Sequence, residues 1–86
     1  MLAFHTLLAD WLARQDRSDE VGEILAQALD TRAMLILAQM PSARLARART
    51  VIARTRNVRR AYRRLRGVVT YTQFLAVYWT RYRDEW

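Results

Sequence analysis

The sequence has 86 residues, a net charge of +7 and no cysteine. A chain of this length accommodates one domain, residues 1–86, with a modest hydrophobic core, and without cysteine it forms neither disulfides nor thiolate metal sites. The charge is uneven: residues 1–41 carry −3, residues 42–66 carry +10 from ten arginines and no acid, and residues 67–86 are neutral.

The residue usage predicts an all-α protein. Only two glycines and one proline interrupt a chain rich in Ala, Leu and Arg, which are strong helix formers. The longest apolar run, residues 33–38, is far shorter than the roughly 20 residues that span a bilayer, and the first helix lacks the features of a secretory signal. We therefore expect a cytoplasmic bundle of four or five helices that does not associate with membranes.

Two helices are predicted in the first half of the chain. The first covers residues 2–15, and one face of it is apolar and is expected to lie in the core. The residues of that face are Phe4, Leu7, Leu8, Trp11 and Leu12. Ser18 or Asp19 can accept hydrogen bonds from the free N–H groups that begin the second helix. Asp30 and the threonine that follows it indicate either a break in the second helix or a polar patch on it, and we favour a kink or a new helix start there.

Residues 33–38 are apolar on every side of a helix. A segment of this kind is expected to be a short helix that is either buried in the bundle or covered by a partner. Pro41 disfavours helical geometry at Met40, so the segment should end before it.

One long Arg-rich helix is predicted to begin after Ser42, its N-cap, and to stop at Gly67. Small and apolar residues recur along it at steps of three and four, which predicts a stripe that packs against the bundle. The stretch 55–57 could divide this helix into two. The stripe consists of Leu45, Ala48, Ile52, Thr55, Val58 or Arg59, Tyr62, Leu65 and Val69.

The last predicted helix is rich in aromatic residues. Thr70 and Gln73 form a capping-box pattern that marks its start. Three aromatic residues at helical spacing are expected in the core, namely Tyr71, Phe74 and Tyr78. Three others lie nearer the C-terminus and could contact a ligand, for example by stacking on single-stranded bases, namely Trp79, Tyr82 and Trp86.

Residues 11–24 read WLARQDRSDEVGEI and residues 70–78 read TYTQFLAVY. The first segment resembles the opening of the YozE-like family of small SAM-like helical domains, where an aromatic–Leu helix end leads through Arg-Asp-Asp-Pro into Ile/Val-Gly-Asp-Leu. The second resembles that family's final helix. Glu20 stands where the family usually has Pro, and the Arg-rich segment adds about a helix between the motifs. The resemblance implies a compact four-helix scaffold that binds nucleic acid or protein.

Few residues could carry catalysis. His5 is the only histidine, Ser18 and Ser42 are the only serines, and the two glycines stand too far apart for a phosphate loop. Four acids that lie close together lack the spacing of a calcium loop, namely Asp16, Asp19, Glu20 and Glu23. We therefore expect no enzymatic activity, no cofactor and no metal.

The Arg-rich segment, residues 42–66, is the candidate binding site. A guanidinium group grips phosphate through two hydrogen bonds, and the neutralisation of several phosphates releases counterions. A solvated helix face usually mixes both signs of charge, whereas this segment contains no acid. We therefore predict that it contacts nucleic acid, either DNA or RNA. The expected contacts are Arg44, Arg47, Arg54, Arg56, Arg59, Arg60, Arg63, Arg64 and Arg66.

Protein targets are the alternative. The same arginines could dock on the acidic surface of a partner, as in a binding module or an inhibitor, or could pair with the acidic first half of another copy in a homo-oligomer. A passive, solvated surface also stays open. Small proteins with such a lopsided charge occur among phage and mobile-element accessory factors, which is an analogy rather than a derivation.

Overall fold

The computed structural model describes residues 3–83, and within this range the chain forms five α-helices and no β-strand. The predicted all-α bundle is therefore confirmed. No helix in this part of the chain combines the length and the apolar character needed to cross a membrane. The helices are α1 (Phe4–Ala13), α2 (Glu20–Ala38), α3 (Ser42–Arg54), α4 (Val58–Leu65) and α5 (Tyr71–Tyr82).

Helix α5 is the centre of the bundle, because it packs against each of the other four helices. It begins with the predicted capping box: the Thr70 hydroxyl accepts a hydrogen bond from the Gln73 backbone N–H at 3.1 Å, and the Gln73 side chain accepts one from Thr70 N–H at 3.0 Å. A helix that is apolar around most of its circumference must be covered on several sides. The buried residues of α5 are Phe74, Leu75, Ala76, Val77 and Trp79.

Trp11 joins α1 to this centre. Its side chain is 5% exposed, and its ring meets the ring of Trp79 edge-on, with the centroids 4.9 Å apart. The apolar face predicted for α1 is confirmed at Phe4, Leu7 and Leu8, which are also buried, but it is wrong at Leu12, which is 39% exposed. The helix ends at Ala13, before the predicted end. The predicted start, residue 2, lies outside the described residues.

Helix α2 runs without interruption through Asp30, so the predicted new helix start is wrong, and the predicted kink stays a prediction. The Asp30 carboxylate accepts a hydrogen bond from Nε1 of Trp79, in α5, at 2.8 Å. It also pairs at 2.7 Å with Arg83, the residue that follows α5. An aspartate interrupts a helix when its side chain competes for the local backbone N–H groups. These tertiary contacts remove that competition.

Residues 33–38 form the last turns of α2 rather than a buried helix of their own. Ala33 is fully buried, but Met34 is 67% exposed and Leu35 is 62% exposed. Burial of the whole segment is therefore wrong, and cover by a partner stays a prediction. The helix does end before Pro41, as predicted.

The predicted long Arg-rich helix is two helices. Helix α3 ends at Arg54 and α4 begins at Val58, so the division lies at the stretch 55–57 where the sequence allowed it. The Asn57 side chain accepts a hydrogen bond from the Arg60 backbone N–H at 3.1 Å, which caps α4. Ser42 is not an N-cap but the first residue of α3, because the extended Pro41 occupies the cap position.

The packing stripe across α3 and α4 is largely confirmed. Thr55 is buried where the two helices meet, whereas Val58 is exposed and so departs from the stripe. The chain leaves α4 through Gly67, which has a φ of 82°, a left-handed conformation that glycine adopts at little cost. The buried members of the stripe are Ala48, Ile52, Thr55, Leu65 and Val69.

Replacement of Trp11 by Ala should lower the free energy of unfolding by about 3–5 kcal/mol, because it opens a cavity beside Trp79. Leu12→Ala is the matched control, since Leu12 follows on the same helix but is 39% exposed, and it should cost clearly less. Urea unfolding followed by far-UV circular dichroism measures both. A loss for Trp11→Ala no larger than that for Leu12→Ala would contradict the packing of α1 on α5.

Candidate nucleic-acid interface

Helix α4 has one buried side and one charged side. Its buried residues, Ala61 and Leu65, are inaccessible to solvent and face the bundle. On a helix, residues four apart lie one above the other, with their Cβ atoms roughly 5–6 Å apart. The exposed side of α4 therefore carries two adjacent rows of guanidinium groups, the first formed by Arg59 and Arg63 and the second by Arg60 and Arg64.

The other predicted site arginines continue this charge on both sides of α4. Arg47 and Arg54 lie two turns apart on the same side of α3. Arg44 is in the first turn of α3, Arg56 is in the connection to α4, and Arg66 directly follows α4. All nine predicted site arginines are exposed, so the structure leaves the whole set available to a ligand.

The arginines of this segment differ from those elsewhere in how their side chains are used. Arg14 pairs with Asp19 at 3.2 Å, Arg83 pairs with Asp30 at 2.7 Å, and Arg17 lies over a tryptophan ring. Within residues 3–83, by contrast, no ion pair, side-chain hydrogen bond or ring contact involves the side chain of any of the ten arginines in the Arg-rich segment. Its charge is not neutralised within the described part of the protein.

Self-repulsion is the physical cost of this arrangement. Like charges four residues apart destabilise a helix by about 0.2–0.5 kcal/mol per pair, and an isolated helix as short as α4 is not stable in water. The burial of Ala61 and Leu65 and the cap from Asn57 must offset that repulsion. An anion on the exposed side would remove it.

Replacement of Arg60 and Arg64 by Gln should therefore raise the unfolding midpoint at low ionic strength. The gain should shrink between about 0.01 M and 0.15 M salt, where the screening length falls from about 30 Å to about 8 Å. Arg14→Gln is the control with the opposite sign, because it removes an attractive pair with Asp19. Thermal unfolding across the salt series measures all three proteins. If the unfolding midpoints of the double variant and the native protein showed the same salt dependence, that result would contradict the repulsion between these arginines.

Arg49 is a candidate binding residue that the sequence-based site prediction omitted. It is exposed on another side of α3, where it and Arg81 of α5 flank a groove of about 390 Å³. The floor of the groove is apolar and includes Ile52 and Val77. Helical spacing alone could not place Arg49 beside Arg81, because their proximity depends on how α3 packs on α5.

Of the three predicted aromatic contacts, the one at Trp79 is wrong, and the one at Tyr82 stays a prediction. Trp79 is 1% exposed and donates its indole N–H to Asp30, so it belongs to the core. Tyr82 is half-buried, and its hydroxyl donates a hydrogen bond to the Ile52 carbonyl at 3.0 Å, which ties α5 to α3. The third candidate, Trp86, lies outside the described residues.

Tyr71 shows the opposite error, since it was predicted in the core but is 51% exposed. Its ring packs edge-to-face with the ring of Tyr62 of α4, with the centroids 5.3 Å apart. Tyr71 also lines an apolar groove of about 380 Å³ together with Val58 and His5. Its place in the first turn of α5, next to the loop, explains its exposure.

The acidic cluster has a structural role. Asp19 caps α2 by accepting a hydrogen bond from the Gly22 backbone N–H at 2.6 Å, and Asp16 accepts one from the Ser18 hydroxyl at 2.7 Å. Glycine is suited to position 22, in the first turn of α2, because a Cβ there would overlap the carbonyl of Arg17. No group of three or more possible metal ligands occurs in the described part of the chain.

The Gly22 N–H lowers the pKa of Asp19 below its usual value of 3.8, and Arg14 contributes to the same shift. A carboxylate whose pKa is lowered by folding stabilises the protein above its unfolded pKa, and this contribution is lost as the pH falls through the folded value. Acidification through and below pH 3.8 should therefore destabilise the native protein.

Asp19→Asn isolates this contribution, because Asn also caps helices well but carries no charge. The variant should lose less stability than the native protein over the same acidification, as measured by thermal unfolding at a series of pH values. Parallel curves for the two proteins would show that the Asp19 charge has no role in stability.

Comparison of the chain with protein-family models, with curated proteins and with solved structures finds no match. The resemblance to the YozE-like family therefore rests on its two motifs and stays a prediction. The described part of the chain has five helices where that resemblance implies four, and the Arg-rich segment supplies two of the five.

Proposed function

We propose that this protein is a non-enzymatic nucleic-acid-binding protein that contacts the phosphate backbone through its Arg-rich segment. One observation carries the proposal. Ten exposed arginines extend over α3, the connection at 55–57, α4 and the residue after it, and within residues 3–83 their side chains have no acidic partner.

The chemistry of the segment suits phosphate. Guanidinium presents a planar fork of donors that matches two phosphate oxygens, and it is hydrated weakly enough to exchange water for a ligand at modest cost. Duplex DNA carries one negative charge per about 1.7 Å of its axis, so it can neutralise several arginines at once. Binding would also relieve the repulsion between the two rows of α4.

Docking on an acidic protein is less favoured by the composition of this surface. Protein–protein interfaces have an apolar centre and a polar rim. The exposed side of α4 instead has a charged centre, because four guanidinium groups lie side by side there without an apolar residue between them. The spread of charge fits an extended polyanion better than a compact acidic patch.

Fluorescence anisotropy with labelled duplex DNA, single-stranded DNA and RNA across a salt series tests the proposal. Contacts to about five duplex phosphates should give a slope near −4.5 for the logarithm of the association constant against the logarithm of the salt concentration. No binding of any of the three at moderate salt would reject the proposal and leave an acidic protein partner as the function to test.

Replacement of Arg59, Arg60, Arg63 and Arg64 by Gln should weaken binding across all sequences and reduce the salt slope by about 1 for each phosphate that is no longer neutralised. The helical circular dichroism signal should persist, because these side chains face solvent. Unchanged affinity would remove α4 from the interface.

A second variant, with the same net charge as the first, tests whether binding depends on where the arginines lie or only on the total charge. Replacement of Arg14, Arg17, Arg32 and Arg83 by Gln removes the same number of charges from outside the Arg-rich segment. It should retain most of the affinity and of the salt slope once its folding is verified by circular dichroism. An equal decrease in affinity for the two variants would indicate that net charge alone, rather than this segment, drives binding.

A further inference from the structure

We infer that α3 and α4 form a helix–turn–helix pair and that α4 lies in the major groove of duplex DNA. The inference rests on the proposed function and goes beyond it, because it names the form of nucleic acid and the groove. The three-residue connection between α3 and α4 is typical of such pairs, in which the second helix enters the major groove.

The second helix of such a pair must be held firmly with one side free, and α4 meets this condition. Ala61 and Leu65 are fully buried on its inner side, and Asn57 fixes its first turn. The first helix, α3, is anchored in turn by Ala48 and Ile52, which are also fully buried. The charged side of α4 is therefore presented on a rigid support.

The dimensions of the helix select between kinds of duplex. An α-helix with its side chains is about 10–12 Å across, and the major groove of B-form DNA is about 12 Å wide. The major groove of double-stranded RNA is deep and too narrow for side chains to read. A helix in the groove therefore fits duplex DNA and is excluded from an RNA duplex of the same sequence.

The positions of Arg59, Arg63 and Arg64 around the axis of α4 assign a role to each of them. At about 100° per residue, Arg63 lies opposite the midpoint of Ala61 and Leu65, so it points straight away from the bundle and towards the base edges. Arg59 lies on the same row one turn earlier. Arg64 lies about 100° to one side, where it reaches a phosphate strand.

An arginine that points into the major groove recognises guanine through its O6 and N7 atoms, which accept the two hydrogen bonds of the guanidinium fork. Arg63 and Arg59 are therefore the residues that would read guanine. Arg56 and Arg66, which lie just outside the two ends of α4, are placed to grip the backbone beside it.

The first experiment compares the affinity for duplex DNA with that for an RNA duplex of identical sequence at the same salt concentration. Binding in the major groove predicts that DNA binds tighter by about tenfold or more, the equivalent of one good base contact. Equal affinity for the two duplexes would overturn the placement of α4 while leaving the nucleic-acid function intact.

The second experiment enriches preferred sites from a random duplex library and replaces guanine in them by 7-deazaguanine, which lacks the N7 acceptor. Replacement of a guanine that Arg59 or Arg63 contacts should weaken binding by about 2- to 13-fold, because one of the two hydrogen bonds to that guanine is lost. No enriched sequence, or no effect of 7-deazaguanine, would likewise overturn the groove contact.

Arg63→Gln removes the guanidinium fork, so it should abolish the sensitivity to 7-deazaguanine at the guanine that Arg63 contacts, retain the sensitivity at the guanine that Arg59 contacts, and leave the salt slope unchanged. Arg64→Gln is the matched control, and it should retain the sensitivity at both guanines while lowering the salt slope by about 1. Equal behaviour of the two variants would overturn the assignment of Arg63. Failure of the native protein to bind any nucleic acid would instead overturn the proposed function itself.

Discussion

The contacts of Trp79 hold the bundle together. Its ring packs edge-on against Trp11 of α1, and its indole N–H bonds to Asp30 of α2, so one side chain of α5 fixes two helices. Other buried residues of α5 support α3 and α4. Because α5 fills the interior, the arginines of α3 and α4 have no place except the surface. The charged surface is thus a consequence of how the aromatic centre packs.

The Arg-rich segment and the rest of the chain use arginine differently, and the difference follows from where the acids are. In the first half, Arg14 lies within reach of Asp19, and near the end of α5 Arg83 reaches back to Asp30, so these guanidinium groups serve the fold. Residues 42–66 contain no acid and lie in helices whose inner sides are apolar. Charge that is not neutralised inside the molecule favours an anionic ligand outside it.

Local patterns predicted much of this structure, and long-range contacts account for most of the errors. The capping box at Thr70 and the cap at Asp19 each involve residues three apart, so the sequence alone was enough. The exposure of the site arginines followed from helical spacing in the same way. Asp30 and Trp79 were misjudged, because each takes its role from the other across 49 positions of sequence. No local pattern carries that information.

The Arg-rich segment also has a fixed charge, because all ten of its cationic side chains are arginines. A guanidinium group stays protonated over the whole physiological pH range. Lysine acetylation, which removes charge from many basic surfaces, has no target here, and methylation of arginine would block the bidentate hydrogen bonds without removing the charge. The charge of this segment is therefore constant, and competing ions or a competing polyanion weaken its attraction for anions without changing that charge.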